Sequence, residues 1–388
     1  EEQKFTAANE DLTHANLVVN RLTALMQPFM MLMLNFTTVT IIWIGSHEIN
    51  DGGLQIGDML AFMQYAMQAI FAFLMLSMIF MMVPRAAVSA RRVLEVLETE
   101  PSVRDPEQPI TAATREGLVE FRKVTFAYPG AEEPVLRAIS FTAEPGETTA
   151  IVGPTGSGKS TLISLIERFY DVTAGQVLVD GVDVREMTQE DLRARIGYVS
   201  QRAILFSGTI ESNIRAGDEE IDLDALEGAA ATAQALEFIE QSEERYDRPI
   251  AQGGANVSGG QKQRLAIARA IARQPDIYIF DDSFSALDFR TDALLRAALK
   301  EETANRTVLI VAQRISTIMH AEKIIVLDDG AIVGQGRHAD LIRTNSVYRE
   351  IAASQLSEAE MAATGASPNG TASPNGKTSS NGKTEEHR

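Results

Sequence analysis

Three short runs hold the residues that could do chemistry. Gly153-Pro154-Thr155-Gly156-Ser157-Gly158-Lys159-Ser160 has the form GxxxxGK[ST], after an apolar strand-like run and before a helical run. Glycines at that spacing let the backbone wrap a phosphate closely, so that its N–H groups and the next helix N-terminus face negative charge. Lys159 can reach the outer phosphates of a nucleotide, and Ser160 can hold Mg2+. The second run, Ile277-Tyr-Ile-Phe-Asp281-Asp282, is an apolar strand ending in carboxylates. Acid at the C-terminal edge of a buried strand suits metal coordination beside such a loop. In the third, Val257-Ser258-Gly259-Gly260-Gln261, a Ser N-cap and small residues would leave helix N–H groups exposed to an anion. The same residues also fit a plain glycine-rich cap.

These runs need a scaffold. Short β-rich segments at Val119–Phe126, Thr148–Val152, Ile277–Phe280, Thr307–Val311 and Lys323–Leu327 alternate with helical stretches. Such alternation implies a mostly parallel sheet covered by helices. The pattern runs over 118–355. With 53 acidic against 35 basic residues the net charge is −18, which argues against a nucleic-acid partner. No cysteine is present, so disulfides and thiolate metal sites are excluded, as suits a reducing compartment.

The first hundred residues differ in kind. Eleven of the 14 methionines precede position 83, and residues 22–44 and 59–84 hold no charged side chain. Each run is long enough to cross a hydrocarbon core of about 30 Å. The connection Ser46–Gly57 has no Lys or Arg, whereas Arg85, Arg91, Arg92 and Arg104 follow the second run, so both flanks are expected on the cytoplasmic side. Pro28 should bend the first span. Gln27, Asn35, Gln64 and Gln68 should face protein or a water-filled cavity. Met59, Met63 and Met67, continued by Phe71 and Met75, fit either an adaptable lining for an apolar substrate or an ordinary packing surface. The expected domains are 1–104 (the end of a membrane domain), 105–117 (a linker), 118–355 (the α/β domain) and 356–388 (a disordered tail). The tail has Ser-Pro-Asn-Gly repeats, and its Asn369-Gly-Thr371 matches a glycosylation pattern. The opening Glu1-Glu2-Gln3 reads as the edge of a missing segment.

Together these segments resemble the ATP-binding cassette of an ABC transporter. Ser258-Gly259-Gly260-Gln261 matches the family signature. Tyr128 sits where the family stacks a ring on adenine, Gln201 at the Q-loop that senses Mg2+, and Ser285-Ala-Leu-Asp288 at the D-loop that crosses the dimer interface. Leu54–Phe62 and the Arg92-Val-Leu-Glu95 exit helix are similar to exporters with six spans per subunit, which makes these spans the fifth and sixth. The resemblance therefore implies all-α transmembrane helices followed by an α/β P-loop NTPase. It implies ATP bound at Tyr128, Gly153 to Thr161 and Gln201, Mg2+ at Ser160, Gln201 and Asp281, and a partner's nucleotide met by Ser258 to Gln261. It also implies a plasma or inner membrane location with the nucleotide domain in the cytoplasm.

Three positions depart from the family. Asp282 stands at the hydrolytic Glu, Gln313 at the switch His, and Gln252 where exporters usually place Glu. An acid one methylene shorter loses reach for general-base work, and an amide cannot carry positive charge. ATP binding should survive while hydrolysis at Asp282 and Gln313 should not. That pattern resembles the degenerate half of a heterodimer, a second half-transporter supplying the competent site, while the apolar, Met-rich spans favour a lipophilic substrate such as a drug or lipid. A homodimer with slow ATPase, an importer on the same fold and an ATP-gated channel stay open on the sequence alone.

Overall fold

The computed structural model describes residues 2–355, and the expected tail with its Asn369 pattern lies outside the described residues. The chain divides between Glu100 and Pro101 into two units. The first holds α1 (Glu2–Asn50) and α2 (Ile56–Leu97). Their 49 and 42 residues make rods of roughly 60–75 Å, about twice the hydrocarbon thickness, so both helices run on past the uncharged segments. Both are long and apolar enough to cross a membrane. Within α1, the hydroxyls of Thr23, Thr37, Thr38 and Thr40 donate to carbonyls four residues back, as Ser77 does in α2. These hydroxyls inside the apolar runs are thereby satisfied locally.

Where α1 and α2 meet, a Cβ at Gly45 would lie 2.8 Å from Met59 Sδ, so the glycine admits a close approach. Met59 therefore serves packing. A cleft of about 490 Å³ between the two helices is lined by Met26, Gln27, Met30, Phe71, Met75 and Met78 among others. Asn35, Gln64 and Gln68 lie exposed on the helix pair, because two helices bury only a seam. Pro28 sits inside the continuous α1, and Pro84 inside α2.

The second unit contains, in chain order, β1 (Val119–Phe126), β2 (Leu136–Ala143), β3 (Thr148–Val152), α3 (Lys159–Ile166), β4 (Ala174–Val179), β5 (Val182–Asp183), α4 (Gln189–Ala194) and β6 (Ile196–Val199). There follow β7 (Gly208–Thr209), α5 (Ile210–Ile214), α6 (Leu223–Thr232), α7 (Leu236–Glu240), β8 (Pro249–Ile250), α8 (Gly259–Ala272), β9 (Ile277–Asp281) and α9 (Phe289–Glu302). The last elements are β10 (Thr307–Val311), α10 (Ile315–Ile318), β11 (Lys323–Asp328), β12 (Ala331–Gly336), α11 (His338–Thr344) and α12 (Ser346–Ala353). All five segments expected as strands form strands.

A six-stranded sheet runs β12-β11-β3-β10-β9-β6, parallel except at β12. Every residue of β9 and β10 is buried, which is why both read as unbroken apolar runs rather than alternating ones. An antiparallel sheet, β2-β1-β4-β5, forms a second layer, and α3 shares one core with both sheets. The other core joins the parallel sheet to α5, α6, α8 and α9.

Residues 104–115 lie along this unit. The buried Arg168 guanidinium donates to Arg104 O, Met187 O and Asp171. Arg195, 2 % exposed, donates to Thr114 O and pairs at 3.1 Å with the fully buried Asp180 carboxylate. Asp180 also accepts from the N–H groups of Gly117 and Leu118. Removing the cation alone leaves a buried anion with only neutral donors, a cost of about 3 kcal/mol. Arg195→Met should therefore lower Tm by roughly 6–12 °C in thermal unfolding, whereas substitution of the exposed Arg343 should shift it by less than about 2 °C.

Candidate nucleotide site

The parallel sheet brings the candidate residues together through its hydrogen bonding. Val311 of β10 is paired with Ile151 of β3 on one side and with Asp281 of β9 on the other, and Val199 of β6 is paired with Phe280. Four neighbouring strands thus finish at one edge. From that edge leave the 153–160 loop, Gln313, Asp281-Asp282 and Gln201. Two further bonds tie the strand ends: Asp282 N–H donates to Val311 O at 2.8 Å, and Ser283 Oγ donates to Val199 O at 2.7 Å.

The loop after β3 could not be built with larger residues at two of its glycines. A Cβ at Gly153 would meet Leu327 O at 2.0 Å, and Gly158 holds a left-handed φ of 98°. Gly158 caps α3 without a side chain, so the first N–H groups of that helix keep their positive end open to an anion. Ser157 Oγ is buried without a partner. Lys159 Nζ donates to Gly153 O and Pro154 O, both at 2.8 Å. Burial pulls the Lys159 pKa down, and the charges of Asp281 and Asp282 oppose that pull. Burial raises Asp281, the neighbouring Asp282 charge adds to this, and a hydrogen bond from Ser160 together with Lys159 works the other way.

Asp282 is held differently. Its φ of 48° is left-handed, a conformation that Asp tolerates better than most residues. Its Oδ2 accepts from Gln201 Nε2 at 3.1 Å, and its carbonyl accepts from Ser285 Oγ at 2.8 Å. Gln313 is exposed at the end of β10. Tyr128 is about one-third exposed. Its ring stands edge-on to Phe126 and Tyr170, with its hydroxyl 2.9 Å from Thr161 Oγ1.

Ser258 is the N-cap of α8. Its Oγ accepts from Gln261 N–H while Gln261 Oε1 accepts from Ser258 N–H, a reciprocal capping box. Gly260 lies against the 286–287 segment. Among the described residues, no hydrogen bond or ion pair joins 258–261 to the 153–161 segment. At this helix terminus Ser258 and Gly259 are exposed, and Gly260 and Gln261 are half-buried. Gln252 sits in an exposed turn whose next residue, Gly253, has a φ of 62°.

Comparison with known proteins decides the family. An ABC transporter profile matches residues 136–285, and an ABC transporter transmembrane region profile matches 1–84. The chain carries the transmembrane region and the ATP-binding domain of an ABC transporter. It is 46% identical over 369 residues to an uncharacterized ABC transporter ATP-binding protein of Mycobacterium tuberculosis, covering 94% of this chain and 63% of that protein. It is 37% identical over 350 residues to a fatty acid ABC transporter ATP-binding/permease protein of Mycobacterium bovis, covering 90% and 55%. A solved bacterial Atm1-family ABC exporter with ATP bound superposes with a TM-score of 0.76 at 34% identity, covering 84% of this chain and 57% of that one. The ABC chain thus spans 55–63% of the length of these proteins.

Sequence reading passed over Glu167 at the end of α3. Its carboxyl is buried, Oε2 has no partner, and burial with the Asp281 charge pushes its pKa up to about 8, against the Arg193 guanidinium. The neighbouring Tyr198 hydroxyl is pushed up by burial and by the same two acids. No local motif marks Glu167, because its neighbours come from other strands. The folded ABC domain keeps this proton up to about pH 8, while an unfolded glutamate releases it near 4.5. Between those values folding takes up a proton, so stability falls as pH rises. Glu167→Gln should raise Tm more at pH 8.5 than at pH 5.5. An equal effect at both would show that Glu167 stays charged.

Proposed function

We propose that this chain is part of one half of an ATP-driven exporter in a cell membrane, its nucleotide domain on the cytoplasmic side. The 153–160 loop and Thr161 bind ATP phosphates, and Tyr128 meets the adenine. Ser160, Asp281 and Gln201 hold Mg2+, whose chemistry would be to neutralise and orient the outer phosphates. Ser258 to Gln261 complete the site of a second half-transporter. The fit rests on the two unsubstitutable glycines, the open α3 terminus and the buried, unpartnered Ser157 hydroxyl in the loop.

At its own site the chain holds ATP longer than it hydrolyses it. The observation that carries this reading is the Asp282 carboxylate bonded to Gln201 at 3.1 Å, one methylene short of a glutamate's reach. Gln313 can donate a neutral hydrogen bond to the γ-phosphate but brings no charge. A displacement of about 1 Å costs on the order of 10²-fold in rate, and an absent charge adds to it. The intact signature beside the weakened base supports pairing with a competent partner. A lipophilic substrate is supported by the methionine-rich cleft between α1 and α2 and by the fatty acid transporter among its relatives.

Asp282→Ala in the assembled transporter should change steady-state ATP turnover by less than about threefold. Loss of the partner's catalytic carboxylate should reduce it by about 10³-fold. Equal losses from the two substitutions would refute the proposed division of labour.

A further inference from the structure

We infer that Gln355, just beyond the end of α12, is a positioning residue that holds the loop carrying Gln313. Between the end of β10 at Val311 and the start of α10 at Ile315 the backbone leaves the sheet. Arg314 there is extended, with φ −100° and ψ 124°, and gives α10 no side-chain cap. The two backbone groups flanking Arg314 would otherwise need other partners. Gln355 meets both. Its Nε2 donates to Gln313 O at 2.7 Å, and its Oε1 accepts from Ile315 N–H at 2.8 Å. A primary amide offers one donor and one acceptor side by side, as the edge of a neighbouring strand would. The side chain therefore acts as a one-residue substitute for a strand, fixing the backbone on both sides of Arg314.

Gln355 is itself anchored. Its N–H donates to Ala352 O in the last turn of α12. That helix is pinned through the fully buried Tyr348, whose hydroxyl lies 2.7 Å from His338 Nδ1. Asn345 caps α12 through Tyr348 N–H and donates to Val333 O of β12. On the other side of the loop, Arg296 of α9 donates to Ser316 O. The Gln313 segment is thus gripped from two helices, and one of the grips is a single exposed amide.

The consequence concerns the third phosphate and rests on the proposed contact of Gln313 with it. If Gln355 sets where Gln313 stands, losing it should weaken retention of ATP and leave ADP alone. The test uses the full-length assembled transporter with Gln355→Leu, which removes both bonds at similar volume, and Gln355→Glu, which keeps only the acceptor. Hydrogen exchange at Ile315 should accelerate about tenfold in Gln355→Leu, because of the two bonds lost one holds that N–H. The lifetime of ATP on this chain should shorten by a similar factor, less in Gln355→Glu, with ADP affinity unchanged. Unchanged exchange in Gln355→Leu would overturn the inference, and so would equal weakening of ATP and ADP, which marks a merely structural role. Failure of the slow-site reading itself shows separately, as rapid hydrolysis on this chain before any substitution.

Discussion

Everything at the nucleotide site depends on one hydrogen-bonded ladder. Because β3, β10, β9 and β6 are parallel and paired in fixed register, their C-terminal ends arrive together. The 153–160 loop, Gln313, two carboxylates and Gln201 come from positions up to 160 residues apart. None of them could find the others by local structure. A parallel ladder is stable only when buried on both faces, so the apolar runs of β9 and β10 are as much a part of the site as the polar groups at their tips. Ser283 and Asp282 then tie the strand ends to one another through the backbone of β6 and β10.

Burial that the sheet demands also sets the electrostatics. Lys159, Asp281 and Glu167 sit in one partly dehydrated region where burial disfavours every charge, like charges add to that cost and opposite charges offset it. Glu167 answers by staying protonated to about pH 8. Asp281 is eased by Ser160 and Lys159, and Lys159 by the two aspartates. Bound phosphate and a divalent ion would complete this balance. Asp282 leaves the strand in a left-handed turn and bonds to the more exposed Gln201.

Much of this was legible in the residues. The GxxxxGK[ST] run, the apolar strand ending in Asp281-Asp282 and the Ser258 cap carry their geometry locally, and each forms the expected strand, loop or helix end. The two spans were legible as uncharged runs, although helices of 49 and 42 residues continue well beyond them. The rest depends on contacts distant in sequence. Glu167 looks like any surface glutamate near a helix end until β6 and β9 close over it. Gln355 meets the Gln313 loop across 42 positions, in a register no motif records. The methionine ladder from Met59 was ambiguous for a related reason, since only the approach at Gly45 assigns Met59 to packing.

The central claim is that this chain keeps its ATP while a companion hydrolyses. Photo-crosslinking a radiolabelled azido-ATP to the assembled transporter after many turnovers, followed by washout and analysis of the nucleotide on each subunit, tests it most directly. The account predicts triphosphate recovered from this chain and diphosphate from its partner. Diphosphate recovered equally from both, or from this chain alone, would contradict it.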